Sequence, residues 1–373
     1  MRRALVLNAG SSSFKWSLLD AATEAVEGEG NDRWREGAEP AQQVLETLHR
    51  LPGSEAIDAV GHRLVHGGSR FRATVRIDAE ARRDLAALAE LDPLHTARAI
   101  AGIDAAFAAF PGLPQIAAFD TGFHGTLPDE SAFYPVPWEW TEKYGLRRYG
   151  FHGLSVAYAA RRAGELLGAS PERLIVCHLG SGCSVSAVRA GRSLDTSMGF
   201  TPLEGVMMAT RSGTVDPGLL LYLLKDHGIS VAELDEALNR RSGLLGVSGI
   251  SADFREVLAA TDAAEAGEVG ARRARLAYAM FLHRLKRMVG AMMGVLSGLD
   301  ALLFTGGIGE GSARLRRDVA AAFAFAGLEL DLRKNEAAPG DADVASAGSK
   351  VRALVVTARE DLTILREMRR LLG

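Results

Sequence analysis

The stretch Leu174-Ile175-Val176-Cys177-His178-Leu179, Gly180-Ser181-Gly182-Cys183, Ser184-Val185-Ser186-Ala187-Val188 decides how the fold is read. Two apolar runs flank a Gly/Ser turn, so the segment reads as strand, glycine turn, strand. The chain opens on the same plan, with Leu5-Val6-Leu7, then Asn8-Ala9-Gly10-Ser11-Ser12-Ser13, then Phe14-Lys15-Trp16-Ser17-Leu18. Phe14, Trp16 and Leu18 alternate with Lys15 and Ser17, the period of a strand with one buried face. Two such units half a chain apart point to a duplicated architecture, with similar domains facing a cleft.

Between and beyond these hairpins the pattern alternates helix and strand. Helices are expected over residues 42–51, 79–91, 95–110, 155–167, 217–227, 231–239, 271–296, 313–326 and 362–372. Short strands are expected at 59–60, 116–119, 302–304 and 354–356, and residues 24–39 read as a polar loop or poorly ordered edge. This order makes the chain an α/β protein with two sheet-centred domains. A Walker-type loop has its lysine at the start of a helix, whereas Lys15 lies inside a second strand, so this phosphate loop would belong to a hairpin. A plain Rossmann site is unsupported, because no strand leads into a full Gly-x-Gly-x-x-Gly pattern.

Composition narrows the class. Apolar residues are 47% and charged residues 24% of 373, the balance of an ordinary folded soluble protein, and the length fits two domains. With 43 basic against 46 acidic residues there is no pull toward nucleic acid or an anionic membrane, and neither is expected as a partner. Only Ala4-Leu5-Val6-Leu7 follow Arg2 and Arg3 before Asn8, too few apolar residues for a signal-peptide core. The longest mostly apolar stretch, residues 276–299, contains His283, Arg284, Lys286 and Arg287 and reads as a buried helix rather than a membrane span. Cys177 and Cys183 are the only cysteines and form neither a disulfide framework nor a zinc site, so a reducing cytoplasm is the expected location.

The candidate site residues cluster at turns and strand ends. Backbone N–H groups in a tight Gly/Ser turn can point at a phosphate, and hydroxyls add donors. Asn8, Ser11, Ser13 and Lys15 form one such group, and Gly180, Ser181 and Gly182 another. Gly306-Gly307-Ile308-Gly309 is a third glycine loop, and one nucleotide could touch all three. Each loop alone has the composition of an ordinary turn. Arg63, within His62-Arg63-Leu64-Val65-His66-Gly67-Gly68, has a guanidinium able to hold a carboxylate bidentately. Asp120 closes a short buried strand, a place suited either to a ligand crevice or to a turn cap. His152 stands between glycines in Tyr149-Gly150-Phe151-His152-Gly153, and Arg211 lies in an exposed loop. Asp253-Phe254-Arg255 could hold a nucleotide or an internal ion pair. Glu360 could orient hydrated magnesium or simply start a helix.

Taken together, these segments resemble the acetate kinase family, the acetate and propionate kinases, from end to end. The resemblance rests on Leu7 to Lys15, Gly61 to Gly68, Phe119-Asp120-Thr121-Gly122-Phe123-His124, and Tyr149 to Gly153. His178-Leu179-Gly180-Ser181-Gly182, Asp195 to Arg211, and Phe304-Thr305-Gly306-Gly307-Ile308-Gly309-Glu310 continue it. It implies the sugar-kinase, heat-shock-protein-70 and actin superfamily fold: two similar ribonuclease-H-like (actin-like ATPase) domains flanking a nucleotide cleft. The first would span 1–145, completed by helix 361–373, and the second 146–360 with the nucleotide site.

The resemblance further implies a homodimer that uses ATP/ADP with Mg2+, or Mn2+, for reversible formation of an acyl phosphate from acetate or propionate. Asn8, Ser11, Ser13 and Lys15 match the family's first phosphate segment. Arg63 and Arg211 match its active-site arginines, Asp120 its catalytic aspartate, and His152 and His178 its histidines near the transferred phosphoryl group. Gly180, Ser181, Gly182, Asp253, Phe254, Arg255, Gly306, Gly307, Ile308 and Gly309 fall where the family surrounds the nucleotide. Asn8, Asp120 and Glu360 are its metal-associated positions, and Val65, Leu94, His95, Phe151 and Pro202, with Arg63, its substrate positions.

Departures from the pattern are Thr96-Ala97-Arg98-Ala99 for the usual Asn-Pro-Pro-Asn, Ser181 for Asn, Val156 for His, Thr214 for Asp and Arg359 for Asn. These bear on the acyl substrate, the loop geometry and turnover. Acetate against propionate, and whether Asp120 contacts metal or positions the carboxylate, stay open at this point.

Overall fold

The structure, a computed structural model, describes residues 1–10, 13–90, 93–262, 267–338 and 340–373, without the side chains of 90, 93–95, 267 and 268. By their contacts the residues form two compact units, Met1–Gly125 with Phe151–Tyr158 and Arg359–Gly373, and Thr126–Gly150 with Ala159–Ala358. The units therefore interleave near residue 150, where the sequence reading drew one boundary at 145.

The first unit is built on strands β1 (Arg3–Ala9), β2 (Ser13–Asp20), β3 (Val26–Arg33), β4 (Ala59–Leu64), β5 (Val75–Arg76) and β6 (Gln115–Phe119), in the order β3-β2-β1-β4-β6-β5. β1 pairs antiparallel with β2 and parallel with β4, which pairs parallel with β6. The second unit has β7 (Arg173–Leu179), β8 (Cys183–Arg189), β9 (Arg192–Thr196), β10 (Ala301–Thr305), β11 (Ala342–Asp343) and β12 (Arg352–Val355), in the order β9-β8-β7-β10-β12-β11. Strand for strand the two orders are the same. β1 and β7 even share one burial pattern, with their sixth residues, Asn8 and His178, half-buried between buried neighbours. The duplicated α/β reading is correct.

Residues 24–39 are not simply a loop. Val26–Arg33 forms the edge strand β3, and its alternating Gly28 and Gly30 let it lie against the Trp16 ring, where a Cβ on Gly30 would collide. Low apolar content hid it, because an edge strand with one face in water needs little. The helix around residues 276–299 is Gly267–Leu296, and it is amphipathic rather than wholly buried. Ala274, Ala277, Phe281, Leu285, Val289, Met292 and Leu296 form its buried stripe at three- and four-residue spacing, and it packs across β7, β8 and β9. Among the described residues no helix is long and apolar enough to cross a membrane.

Each face of the first sheet has its own cover. Leu5, Leu7, Phe14 and Leu18 pack with Val44 and Leu48 of the helix Pro40–Leu48 and with Ala105 and Ala106 of the helix Pro93–Ala109. On the opposite face the helix Glu360–Leu372 lies over β1, β4 and β6, with Leu362, Ile364, Leu365 and Met368 buried. Gly61 makes this approach possible, since a Cβ there would strike Met368 Sδ and Ile364 Cγ2.

Next to Gly61, His62 points to the other side and is only 3% exposed. Its Nε2 lies 2.6 Å from Gln115 Oε1, which can only accept, so the ring proton sits on Nε2. Burial pulls the His62 pKa down from 6.5 to about 4, with the Gln115 hydrogen bond a smaller opposing effect. Because the folded pKa is the lower one, the unfolded chain binds more protons between these values. Stability is therefore full above about pH 6.5 and falls as the pH drops toward 4, by up to about 3 kcal/mol. Urea unfolding of the parent should weaken through this window more steeply than that of His62→Gln. Equal slopes would mean that His62 does not titrate there.

Candidate active site

In the first unit the parallel strands bring sequence-distant groups to one edge. Asn8 and Arg63 are register partners on β1 and β4, and Asp120 follows directly on the last residue of β6. The Arg63 guanidinium donates from Nε to Asp120 Oδ1 (2.8 Å) and from Nη2 to Oδ2 (2.5 Å), and from Nη1 to Asn8 Oδ1 (3.0 Å). Glu360, the first residue of its helix, stands 3.2 Å from Arg63 Nε through Oε2. Arg63 is on the same face of β4 as Gly61, so the helix that lies on Gly61 also delivers Glu360. Burial works against the Arg63 charge, but Asp120 and Glu360 outweigh it and hold its pKa above the ordinary arginine value. Asp120 is 1% exposed.

His152 adopts φ +60°, the left-handed region, at the turn that opens the helix Gly153–Leu167. Gly153 N–H donates to Asp120 O at 2.7 Å, and any Cβ on Gly153 would collide with that carbonyl. The strained His152 is thus tied by its neighbour to the backbone of Asp120. Phe151 is buried beside His66, with ring centroids 5.6 Å apart, and its carbonyl accepts from His124 Nε2 at 3.1 Å. Val65 is half-buried in the loop that follows β4. Gly67 N–H in that loop donates to Thr121 Oγ1 at 3.1 Å, and Gly68 N–H to His66 Nδ1 at 2.7 Å. His124, His66 and Thr121, which two of the quoted motifs contain, hold these turns together. Their signal was position inside a glycine-punctuated segment.

The first phosphate segment is only partly within view. Ser11 lies outside the described residues, and Leu94 and His95 have no described side chains. Lys15 is exposed on β2 opposite Asn8, and Ser13 begins that strand. Gly10 N–H already donates to Ser13 O at 2.9 Å, closing the turn on itself.

In the second unit a cavity of about 790 Å3 opens beside the β7–β8 turn. Gly180 and Ser181 line it together with Ala209, Ala252, Asp253, Phe254, Arg255, Leu258, Ala259, Gly307, Ile308, Gly311 and Arg314. Gly182, Gly306 and Gly309 are buried behind it and do not line it. Segment 306–309 is also not a loop: it is the start of a helix, Gly306–Gly311, that follows β10 without a connection. High glycine content reads as a turn, but tertiary packing overrides that propensity here. Asp253 and Arg255 do pair, with Arg255 Nη2 2.6 Å from Asp253 Oδ2, which together with the Arg255 backbone N–H draws the Asp253 pKa down to about 2. The Arg255 side chain is 89% exposed, so the pair adds little stability and leaves that arginine at the cavity mouth.

Arg211 is in a different state from Arg63. Its Nη1 donates to Pro202 O at 2.7 Å, and no carboxylate pairs with it among the described residues. Burial lowers its pKa. A half-buried cation without a carboxylate beside it is a ready partner for an anion. His178 is half-buried on β7, in register with Thr305 at the end of β10.

The sequence profile of the acetokinase family matches residues 29–366. The chain belongs to that family. An acetate kinase of Nostoc punctiforme is 44% identical, with 97% of each chain covered. One from Trichormus variabilis is 42% identical over the whole of both chains. Among solved structures, the acetate kinase of Porphyromonas gingivalis has a TM-score of 0.90 at 35% identity and full coverage of both chains. A propionate kinase from Francisella tularensis has a TM-score of 0.88 at 37% identity, covering 98% of this chain and 99% of its own. The fold is thus that of the acetokinase family, two similar actin-like ATPase-type domains.

A divalent cation suits the first unit's donor set. Asn8 Oδ1 and the Asp120 and Glu360 carboxylates are hard oxygens gathered around one guanidinium. Among the described residues no group of three or more His, Cys, Asp or Glu forms a metal cage. Few protein oxygens, completed by phosphate and water, is the way magnesium is usually held.

The cavity offers its own test. Gly307 and Gly311 are one helical turn apart, and a Cβ on either would meet nothing within 4 Å. Gly311→Leu should fold as well as the parent while filling the cavity, and weaken ADP binding by about tenfold or more, measured by calorimetry. Unchanged ADP affinity would place the nucleotide elsewhere.

Proposed function

We propose that this protein is an acetate kinase: it transfers a phosphoryl group reversibly between ATP and acetate, with magnesium, giving ADP and acetyl phosphate. The observation that carries the reading is the Arg63 guanidinium held by Asp120 and Glu360 beside Asn8, in a chain of the acetokinase family. We read the second unit, which has the 790 Å3 cavity, as the nucleotide domain, and the first as the unit of the carboxylate and metal. Two buried, unpaired thiols support a cytoplasmic location.

Acetate is ionised at neutral pH and needs no strong base to attack phosphorus. The barrier is repulsion between anions. Arg63 and Arg211 offset it, and His152 and His178 donate to phosphoryl oxygens as charge spreads during transfer. Asp120 acts first as the group that orients Arg63, because both of its oxygens are engaged by that guanidinium. Asn8, Asp120 and Glu360 would hold magnesium, which would supply positive charge to offset the phosphates. Ser11, Ser13, Lys15, Gly180, Ser181 and Gly182 are assigned to the phosphates. Phe254, Gly307 and Ile308, with Asp253 and Arg255, are assigned to the nucleoside.

Val65, Leu94, Phe151 and Pro202 are assigned to the methyl end of the acid, with His95 beside its carboxylate. A propionate kinase is the second reading, favoured by the Francisella tularensis structure. One methylene discriminates by only about 1–3 kcal/mol in such a site.

A second copy of the chain is the occupant we assign to the helix Pro217–Asp226, which has no buried residue although it exposes Leu219, Leu221 and Tyr222. Sedimentation should show a dimer that Leu221→Glu converts to monomer, and a monomeric parent would remove this assignment.

The decisive experiment is kcat/KM for acetate, propionate and butyrate at saturating Mg-ATP, in the parent and in Arg63→Ala. Acetate should rank first, propionate second and butyrate a weak third. Arg63→Ala should lower all three by about 10²–10³-fold, the usual cost of one electrostatic donor. Arg63→Lys should recover only part of this, lacking the planar fork. Propionate ahead of acetate would reverse the substrate assignment, and an active Arg63→Ala would overturn the site.

A further inference from the structure

The helix Gly306–Gly311 is an improbable object. Its sequence is Gly-Gly-Ile-Gly-Glu-Gly, built largely from the residue least suited to a helix after proline. At six residues it is also far too short to persist on local hydrogen bonds. Yet its Gly307 and Gly311 present a Cβ-free face to the cavity, with Ile308 between them. Helical shape here has to come from outside the helix.

Two side chains supply it, one at each end. The N-cap residue Thr305 makes no capping bond, and its buried Oγ1 has no hydrogen-bond partner among the described residues. Instead Glu310 Oε1 reaches back one turn and accepts from Gly306 N–H at 2.8 Å. The same oxygen accepts from Ala358 N–H at 3.0 Å, tying the helix start to the chain that leaves β12. At the other end Arg316, 2% exposed, donates from Nη1 to the carbonyls of Gly309 (2.9 Å) and Glu310 (2.6 Å). Its Nε and Nη2 donate to Asn335 Oδ1 (2.7 Å) and Asn335 O (2.6 Å), which anchors the guanidinium to the helix Leu332–Ala337. Every acceptor of this buried cation is an amide oxygen. Helix C-terminal carbonyls are a natural place for such a charge.

We infer that Glu310 and Arg316 are positioning residues for nucleotide binding: together they clamp the glycine helix into a rigid wall against which the nucleoside lies. The inference rests on reading the cavity as the nucleotide site. Neither side chain needs to touch the ligand. Glu310 also occupies the first N–H of the helix, so this helix start is not a phosphate cradle, and within this unit phosphate contacts fall to the Gly180–Gly182 turn. Once either clamp is lost, the glycine segment has many other conformations available, and binding must select the helical one at a cost in affinity. Acetate makes no use of this wall, so its KM should be indifferent.

The test uses the full-length protein with Glu310→Ala, Glu310→Gln and Arg316→Lys, alongside Gly311→Leu. KM for ATP, KM for acetate, kcat and ADP affinity by calorimetry are measured, with the thermal unfolding midpoint of each variant. Glu310→Ala should raise KM for ATP and the Kd for ADP about tenfold, while KM for acetate moves less than about twofold. Glu310→Gln should restore most of the affinity, because a carboxamide oxygen still accepts from both Gly306 and Ala358. Arg316→Lys, unable to fork between the carbonyls and Asn335, should behave like Glu310→Ala. Parent-like nucleotide affinity in Glu310→Ala and Arg316→Lys would overturn the clamp, as would parallel loss of ATP and acetate affinity with a lowered melting point. If Gly311→Leu blocks ADP and the clamp variants do not weaken it, only the clamp fails. If Gly311→Leu leaves ADP binding intact, the nucleotide reading of the cavity fails as well.

Discussion

One guanidinium shared between two carboxylates sets the terms for the first unit. Arg63 satisfies both oxygens of a nearly inaccessible Asp120 while also reaching Asn8 and Glu360. Removing the cation would leave two carboxylates facing one another in a poorly solvated place. The arrangement constrains the register of β1, β4 and β6. A slip of one residue on β4 would exchange Arg63 with His62, turning a charge into the apolar side of the sheet and a neutral ring toward the carboxylates. Gly61 adds a second constraint on the same strand, because only glycine lets the helix Glu360–Leu372 come down far enough to present Glu360.

The second sheet repeats the strand order and puts it to different use. The positions of Asn8 and Arg63 on β1 and β4 correspond to His178 and Thr305 on β7 and β10, both pairs being parallel register partners. Where the first sheet collects ionised groups, the second ends in a half-buried imidazole and a buried hydroxyl. A short hairpin turn follows, next to a cavity walled mainly by small and apolar residues. The same strand order thus ends in charged side chains in the first sheet and in an imidazole and a hydroxyl in the second.

Much of this was legible in the sequence because the relevant features are local. The paired hairpins show as apolar runs around Gly/Ser turns, and Arg63, Asp120 and Glu360 stand out as charges at strand or helix ends. The helix Gly306–Gly311 reads as a loop in the sequence because its ends are held by side-chain bonds from Glu310 and Arg316, which propensity does not show. β3 reads in the sequence as a loop or poorly ordered edge because an edge strand can be polar on almost every residue and still pair. The partner of Arg63 could not be read either. Arginine, aspartate and glutamate at positions 63, 120 and 360 are three independent candidates until the parallel pairing of β4 and β6, and the helix that lies on Gly61, bring them together. Likewise His124 gave no sign of its bond to the Phe151 carbonyl, a contact between two turns far apart in sequence.

The cover on β4 has a further consequence for how this chain comes into being. Strands β1, β4 and β6 are complete once residue 119 has been made, but the helix that packs against Gly61 is complete only when Leu372 has been synthesised. The whole of the second unit's sheet is translated in the interval. The first unit therefore lacks this helix while all the strands of the second are made. On the ribosome, the helix that lies over β1, β4 and β6 is the last cover this sheet receives.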